Sequence, residues 1–97
     1  MYKINFTFSK KGLMKYISHL DLMRLFIRAM RRAGLPLKYT QGFHPHPKFS
    51  IKPALKLGEE SENLDAEIIL VNFLEPQIFK DKLQKELPEG ILIKEIK

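Results

Sequence analysis

The chain of 97 residues has room for one small domain with a single core, and its contents of 44% hydrophobic and 29% charged residues are ordinary for a globular domain. It contains no cysteine, which excludes disulfides, thiolate metal sites, iron–sulfur clusters and a cysteine nucleophile. No apolar run approaches the roughly 20 residues of a membrane helix, and Lys3, Asn5 and Lys10 interrupt the N-terminal segment that a signal peptide would occupy. We therefore expect one cytoplasmic domain over residues 1–97 with no membrane contact.

The net charge of +6 is divided unevenly along the chain. Residues 1–48 carry six Lys and four Arg against Asp21 alone, a balance of +9, whereas residues 49–97 carry seven Lys against ten acids, a balance of −3. A basic half beside an acidic half predicts a surface for a polyanion on the first half. The alternative is a solvated face of lysines that serves solubility.

The first predicted element is a half-buried strand. Tyr2, Ile4, Phe6 and Phe8 alternate with polar residues at positions 3, 5 and 7, which is the period of a strand with one buried face. Residues 9–12 are predicted to form a turn.

A helix with one basic face follows. Ser18 suits the N-cap, and Asp21 three residues later gives a pattern like a capping box. Gly34 is predicted as the C-cap, and Pro36 blocks continuation. On a helical wheel, half of the circumference is apolar: Leu20, Leu22, Met23, Phe26, Ile27, Ala29, Met30 and Ala33. The arginine stripe, Arg24, Arg28, Arg31 and Arg32, occupies an arc of about 100° on the other half.

Prolines and periodicity divide the rest of the chain. We predict a short strand at 37–40, an irregular His-Pro loop at 43–48, a strand at 49–57 whose Pro53 indicates an edge or a bulge, and an acidic loop at 58–63. An apolar strand at 65–73, a helix from Pro76 to the Pro88-Glu89-Gly90 segment and a last strand from Ile91 complete the chain.

The element order β-α-β-β-α-β predicts an α+β, ferredoxin-like sandwich, in which two helices cover one face of an antiparallel sheet. The other face is then open. Its predicted polar residues are Lys3, Asn5, Thr7, Ser50 and Lys52.

Three nearly continuous strings carry a family resemblance: YISHLDLMR at 16–24, RAMRRAGLPL at 28–37 and QGFHPHPK at 41–48. With GEESE at 58–62, they resemble a bacterial family of radical S-adenosylmethionine-linked proteins, a domain of unknown function (DUF2344-like). The resemblance implies a gene beside, or fused to, that of a radical S-adenosylmethionine (SAM) enzyme. It also implies neighbouring genes for an RNA-processing ribonuclease and ribosomal proteins. Members are usually about twice this length, so the resemblance implies a short member or the N-terminal part of a longer protein.

The arginine stripe has three interpretations. Arginine suits bidentate contacts to phosphate, and three or four such contacts would make binding depend on salt. The stripe is otherwise a solvated helix face, or it contacts an acidic protein such as the radical enzyme.

The histidines are interpreted mainly as structural. His19, His44 and His46 would together make a metal site, but residues 44 and 46 of an extended segment point to opposite sides, and we predict no metal and no cofactor. The two Pro-spaced histidines would stiffen the loop. Phe43 and His46 could alternatively stack on a base or donate to a phosphate, with Lys48 adding charge.

Catalysis is the weaker hypothesis for these residues. His19 and Asp21 would serve as an acid–base pair, but helix capping accounts for Ser18 and Asp21 without it. His19, His44 and His46 remain weak catalytic candidates, and we lean against an enzyme.

We therefore predict a non-catalytic RNA-binding accessory domain that works with a radical SAM enzyme. The predicted binding surface consists of Arg24, Arg28, Arg31, Arg32, Phe43, His44, His46 and Lys48. One alternative is a protein–protein adaptor docking on the radical enzyme, and another is a small histidine-dependent RNA-processing enzyme. An unpaired edge strand would also allow a homodimer.

Overall fold

The computed structural model describes residues 1–97 and contains four strands, two α-helices and a 3₁₀ helix. The order is β1 (Tyr2–Lys10), the 3₁₀ helix (Gly12–Tyr16), α1 (His19–Arg32), β2 (Phe49–Lys52), β3 (Ser61–Leu70), α2 (Pro76–Gln84) and β4 (Ile91–Ile96). The sheet order is β2-β3-β1-β4, and all neighbouring strands are antiparallel. This topology confirms the predicted α+β fold, with its ferredoxin-like β-α-β-β-α-β order.

None of the helices has the length and apolar character that crossing a membrane requires.

The core lies between one face of the sheet and the two helices. Alternate residues of β1 turn to this face, where Phe6 lies opposite Ala66 and Phe8 opposite Leu64. Four phenylalanine rings meet there, with centroids of contacting rings between 4.7 and 6.2 Å apart, and all are almost completely buried: Phe6, Phe8, Phe26 and Phe79. The predicted alternation of β1 is confirmed for Ile4, Phe6 and Phe8, which form the floor of this core, whereas Tyr2 at the start of the strand is exposed.

Helix α1 starts and stops as its sequence predicts. The Ser18 Oγ accepts a hydrogen bond from the Asp21 N–H at 3.0 Å, which satisfies one of the free donors of the first turn. At the other end, Leu35 N–H donates to the Met30 carbonyl at 3.2 Å and Gly34 N–H to the Arg31 carbonyl at 3.0 Å. This Schellman arrangement needs the positive φ of 70° that Gly34 adopts, so Ala33 is the C-cap and Gly34 the next residue.

Replacing Ser18 by alanine should lower the free energy of unfolding by about 1 kcal/mol, since the Asp21 N–H loses its partner. Urea unfolding followed by circular dichroism measures this loss. A Ser18→Asp variant should retain most of the stability, because its carboxylate also caps the helix. Equal losses in both variants would contradict a capping role.

Leu20 was predicted on the apolar half of α1, and this is wrong, because its side chain is 57% exposed. The buried residues of α1, Leu22, Phe26, Ala29 and Met30, form a stripe centred on Phe26. Leu20 lies about 120° around the helix from Phe26, beyond the edge of that stripe and beside the arginines.

Several predicted ends of strands and helices are wrong, mostly because backbone pairing between strands sets them. β1 continues through Lys10, where the sequence predicted a turn, and its Lys10 opposes Ser61, so β3 starts inside the predicted acidic loop. β2 ends at Lys52 instead of 57, because Pro53 has no N–H for the ladder; the predicted edge position is confirmed. β3 ends at Leu70, and α2 ends at Gln84, short of the predicted 73 and 87. Residues 37–40 form no regular strand.

Lys10, which the sequence analysis assigned to a turn, is a buried cation at the end of β1. Its side chain has no solvent exposure, and Nζ donates to the Ile17 carbonyl at 3.0 Å. Burial lowers the pKa of Lys10 below 10.5, while the nearby Glu59 carboxylate opposes that shift. Lys10 therefore fixes the connection between β1 and α1 from inside.

The second face of the sheet is open and polar, as predicted, and its charges are mixed. Lys3 pairs with Glu67 at 3.7 Å, and Lys97 pairs with Asp65 at 3.3 Å. Thr7 departs from the prediction because it is only 8% exposed at the centre of this face. Because cations and acids alternate here, this face offers no concentrated positive field to a polyanion.

Candidate nucleic-acid interface

Residues 38–48 form a small hairpin between α1 and β2, called here the 38–48 hairpin. Tyr39 and Pro47 form an isolated antiparallel bridge, and Lys48 N–H donates to the Lys38 carbonyl at 2.9 Å. One strand of this hairpin is part of the segment predicted as a strand at 37–40, and the other is the returning His-Pro loop. The segment forms only bridges because two of the hairpin's donors are used outside the ladder: Lys38 N–H donates to the Ile69 carbonyl, and His46 N–H donates to the Thr40 Oγ1.

The tip of the hairpin is closed by Thr40 and His46. Thr40 N–H donates to the His46 carbonyl at 2.8 Å, and His46 N–H donates to the Thr40 Oγ1 at 3.2 Å. All residues from 41 to 46 are exposed, and Phe43 is fully exposed at 101% of its reference area. Two hydrogen bonds thus hold a short loop whose phenylalanine side chain does not pack against the core.

The three histidines have different surroundings. His46 Nδ1 lies 3.4 Å from the Thr40 Oγ1 and 3.3 Å from the His44 carbonyl oxygen, so this ring is held against its own loop. His44 is exposed on the same tip, and His19 is the half-buried first residue of α1. No group of three or more His, Asp or Glu side chains is placed to hold a metal ion.

The arginine stripe is divided by its contacts. Arg24 Nη1 lies 3.5 Å from the Asp21 Oδ1 within the same helix, and Arg28 is exposed with no protein partner. Arg32 turns away from the others, since its Nη2 donates to the Glu86 carbonyl at 2.8 Å and its Nε lies 3.6 Å from the Glu86 carboxylate. The stripe therefore offers three arginines to one side, while Arg32 fastens α1 to the segment after α2.

Arg31 joins the stripe to the 38–48 hairpin. Its Nε donates to the Tyr39 hydroxyl at 3.2 Å, and its guanidinium carbon lies 5.8 Å from the centre of the Tyr39 ring. The structure thus places Arg31, predicted from the helix, beside the loop that carries Phe43, His44, His46 and Lys48. The sequence analysis did not include Tyr39 in the predicted surface. The one available signal was its position, because a hairpin centred on Phe43 would pair residue 39 with residue 47.

Positive charge is concentrated on this side of the molecule. Residues 22–58 contain eight Lys and Arg and no acid. Other lysines meet acids: Lys11, which follows β1, and Lys94 of β4 both pair with Glu62 of β3, and this lowers the Glu62 pKa, chiefly through the hydrogen bond from Lys11. The cations of α1 and the hairpin consequently have few acidic neighbours, and they are the ones available to an anionic ligand.

Comparison with known families gives one match, over residues 3–97, to a family described as an uncharacterized protein conserved in bacteria (DUF2344). Neither the curated proteins nor the solved structures contain a match. The matched range includes all three strings described above, 16–24, 28–37 and 41–48. Since the match covers nearly the whole chain, the protein belongs to the bacterial DUF2344 family.

Proposed function

We propose that this protein is a non-catalytic RNA-binding domain whose binding surface consists of Arg24, Arg28, Arg31 and the 38–48 hairpin. One observation carries the proposal: the contact between Arg31 and Tyr39 makes the basic helix face continuous with the exposed hairpin. A guanidinium group can donate two parallel hydrogen bonds to a phosphate, and bases can stack on exposed aromatic rings. Both chemistries lie side by side on a part of the chain without acids.

The surface differs slightly from the one that the sequence predicted. We add Lys38 to the surface, because its carbonyl accepts a hydrogen bond from the Lys48 N–H and the two lysines therefore lie opposite each other on the hairpin. Arg32 moves to its margin, where it already donates to Glu86. His44 and His46 remain part of the tip as donors to phosphate.

The family resemblance supports a partner for this surface. We propose that the domain presents RNA to a radical SAM enzyme, which carries out modification or processing while this chain supplies binding. The division of labour fits His46, whose ring the structure holds against its own loop, within 3.4 Å of the Thr40 Oγ1 and 3.3 Å of the His44 carbonyl oxygen.

A titration against total cellular RNA at about 50 mM and about 200 mM salt tests the proposal. We expect binding that weakens clearly at the higher salt concentration, because several phosphate contacts release counterions. Absence of binding to structured and unstructured RNA at the lower salt concentration would contradict it.

A second function, an adaptor docking on the radical enzyme, is favoured by a separate surface. The 3₁₀ helix, the first turn of α1 and the segment before Gly58 carry four exposed apolar side chains: Leu13, Tyr16, Leu20 and Leu57. The Gly58 N–H donates to the Lys15 carbonyl at 2.7 Å and holds these segments together. A group of exposed apolar side chains is typical of a protein contact.

The double variant Leu13→Ser, Leu57→Ser should no longer capture the purified radical SAM enzyme that is encoded beside this protein's gene. It should keep its affinity for RNA. Both side chains are exposed, so the fold should be unaffected. Capture is measured with and without nuclease, and the adaptor function requires that nuclease has no effect. Capture that disappears with nuclease would show RNA as the bridge and exclude the adaptor.

A further inference from the structure

Exposed aromatic side chains are concentrated at one end of the sheet. Four of the five exposed aromatic residues belong to this group, called here the aromatic end: Tyr2, Tyr39, Phe43 and Phe73. Leu70 pairs with Tyr2 on one side and with Leu37 on the other, so the backbones of Tyr2 and Leu37 lie two strand spacings apart, or about 10 Å. Tyr39 and the hairpin follow directly from Leu37.

Two of these aromatic groups stand free of the core. Phe43 is fully exposed at the tip of the hairpin, and the Thr40–His46 hydrogen bonds keep it from folding back. Phe73 stacks edge-on against Tyr2, with centroids 5.6 Å apart and planes at 71°, and leaves most of its surface in solvent. Single exposed apolar residues are common, whereas several at one end of a sheet indicate a ligand.

The charges around the aromatic end select among ligands. Arg31 lies against Tyr39, and Lys38 and Lys48 are adjacent across the hairpin, while the whole stretch from 22 to 58 lacks acids. A purely apolar partner would leave these cations without compensation. Unpaired nucleotides match both features, since each brings a π face and a phosphate.

Duplex RNA matches the aromatic end poorly. Its bases stack on one another inside the helix, and proteins bind it through the phosphates and 2′-hydroxyls of a wide minor groove. A phenylalanine on a projecting tip gains contact only with a base that has left such a stack. Aromatic side chains are accordingly the usual platform for unstacked bases.

We infer that the aromatic end binds a single-stranded stretch of RNA, with one base stacked on Phe43, another on Phe73, and the intervening phosphates near Arg31 and Lys48. This inference rests on the proposed RNA-binding function and specifies the form of RNA that the surface recognises. The arginines of α1 supply affinity for any RNA, and the aromatic end supplies the preference for unpaired bases.

The test compares binding of a labelled single strand of about 12 nucleotides and of the same strand annealed to its complement, by fluorescence anisotropy at low salt. The intact protein should bind the single strand at least tenfold more tightly. Phe43→Ala should weaken single-strand binding about tenfold and duplex binding much less, since a duplex offers this ring no unstacked base. The fold should be unaffected, because the ring is fully exposed. A strand that carries a fluorescent adenine analogue reports stacking directly through loss of emission.

Phe43→Leu is the matched control, because leucine keeps an apolar side chain but has no π face. It should behave as Phe43→Ala does, and retention of full single-strand affinity by the leucine variant would overturn stacking. Equal binding of both RNA forms, unaffected by Phe43→Ala, would overturn this inference and leave general RNA binding intact. Binding of neither form would overturn the proposed function as well.

Discussion

Replacing Arg24, Arg28 and Arg31 together by glutamine should remove most of the salt dependence of RNA binding. Each contact to a single-stranded phosphate contributes about −0.7 to the slope of log K against log salt, so three contacts account for a slope of about −2. Between about 50 and about 200 mM salt, the intact protein should therefore lose roughly twentyfold more affinity than the variant does. Anisotropy titrations at four or more salt concentrations measure both slopes.

A matched control keeps the change in net charge and moves it to the other side of the molecule. Lys11, Lys94 and Lys97 can be replaced together by glutamine; each is already paired with an acid, Glu62 or Asp65. This variant should retain the slope of the intact protein. If it loses as much of the slope as the arginine variant, total charge explains binding, and the arginine surface has no specific role.

The largest effect on stability should come from Phe26→Ala. Phe26 is completely buried and its ring contacts both β1 and β2, with centroids 4.7 Å from Phe8 and 5.7 Å from Phe49. Truncating such a phenylalanine costs about 3–5 kcal/mol, from lost transfer free energy and the cavity that remains. Small domains have a free energy of unfolding of only about 5–15 kcal/mol in total, so this variant should be only marginally folded. Urea unfolding should show a much lower midpoint.

Leu20→Ala is the control for that prediction, on the same helix. The wheel places Leu20 on the apolar half, but its side chain is 57% exposed, so its loss should change the unfolding free energy by less than about 0.5 kcal/mol. A cost of several kcal/mol at Leu20, or a small cost at Phe26, would contradict the packing of α1 described here. Phe26→Leu should recover part of the stability because it fills much of the cavity.

The candidate site could be predicted in part because its components are local. The spacing of Arg24, Arg28 and Arg31 follows from helix geometry alone, and the prolines at 45 and 47 dictate an irregular loop. Their placement side by side could not be predicted, because it depends on the contact between Arg31 and Tyr39 across the turn that ends α1. The stripe was also predicted as one surface, although Arg32 binds Glu86, which is 54 residues away in the chain.

The sequence by itself determined the elements and their order in this protein. Alternation in β1, the Ser18 cap, Gly34 and Pro76 act within a few residues of themselves, so their effects can be read without a fold. Only the tertiary structure decided the burial of Lys10, the early start of β3, the 38–48 hairpin and the grouping of Tyr2 and Phe73 at one end. Each of these arises when distant backbone segments pair, because pairing fixes which side chains lose solvent and which are left exposed.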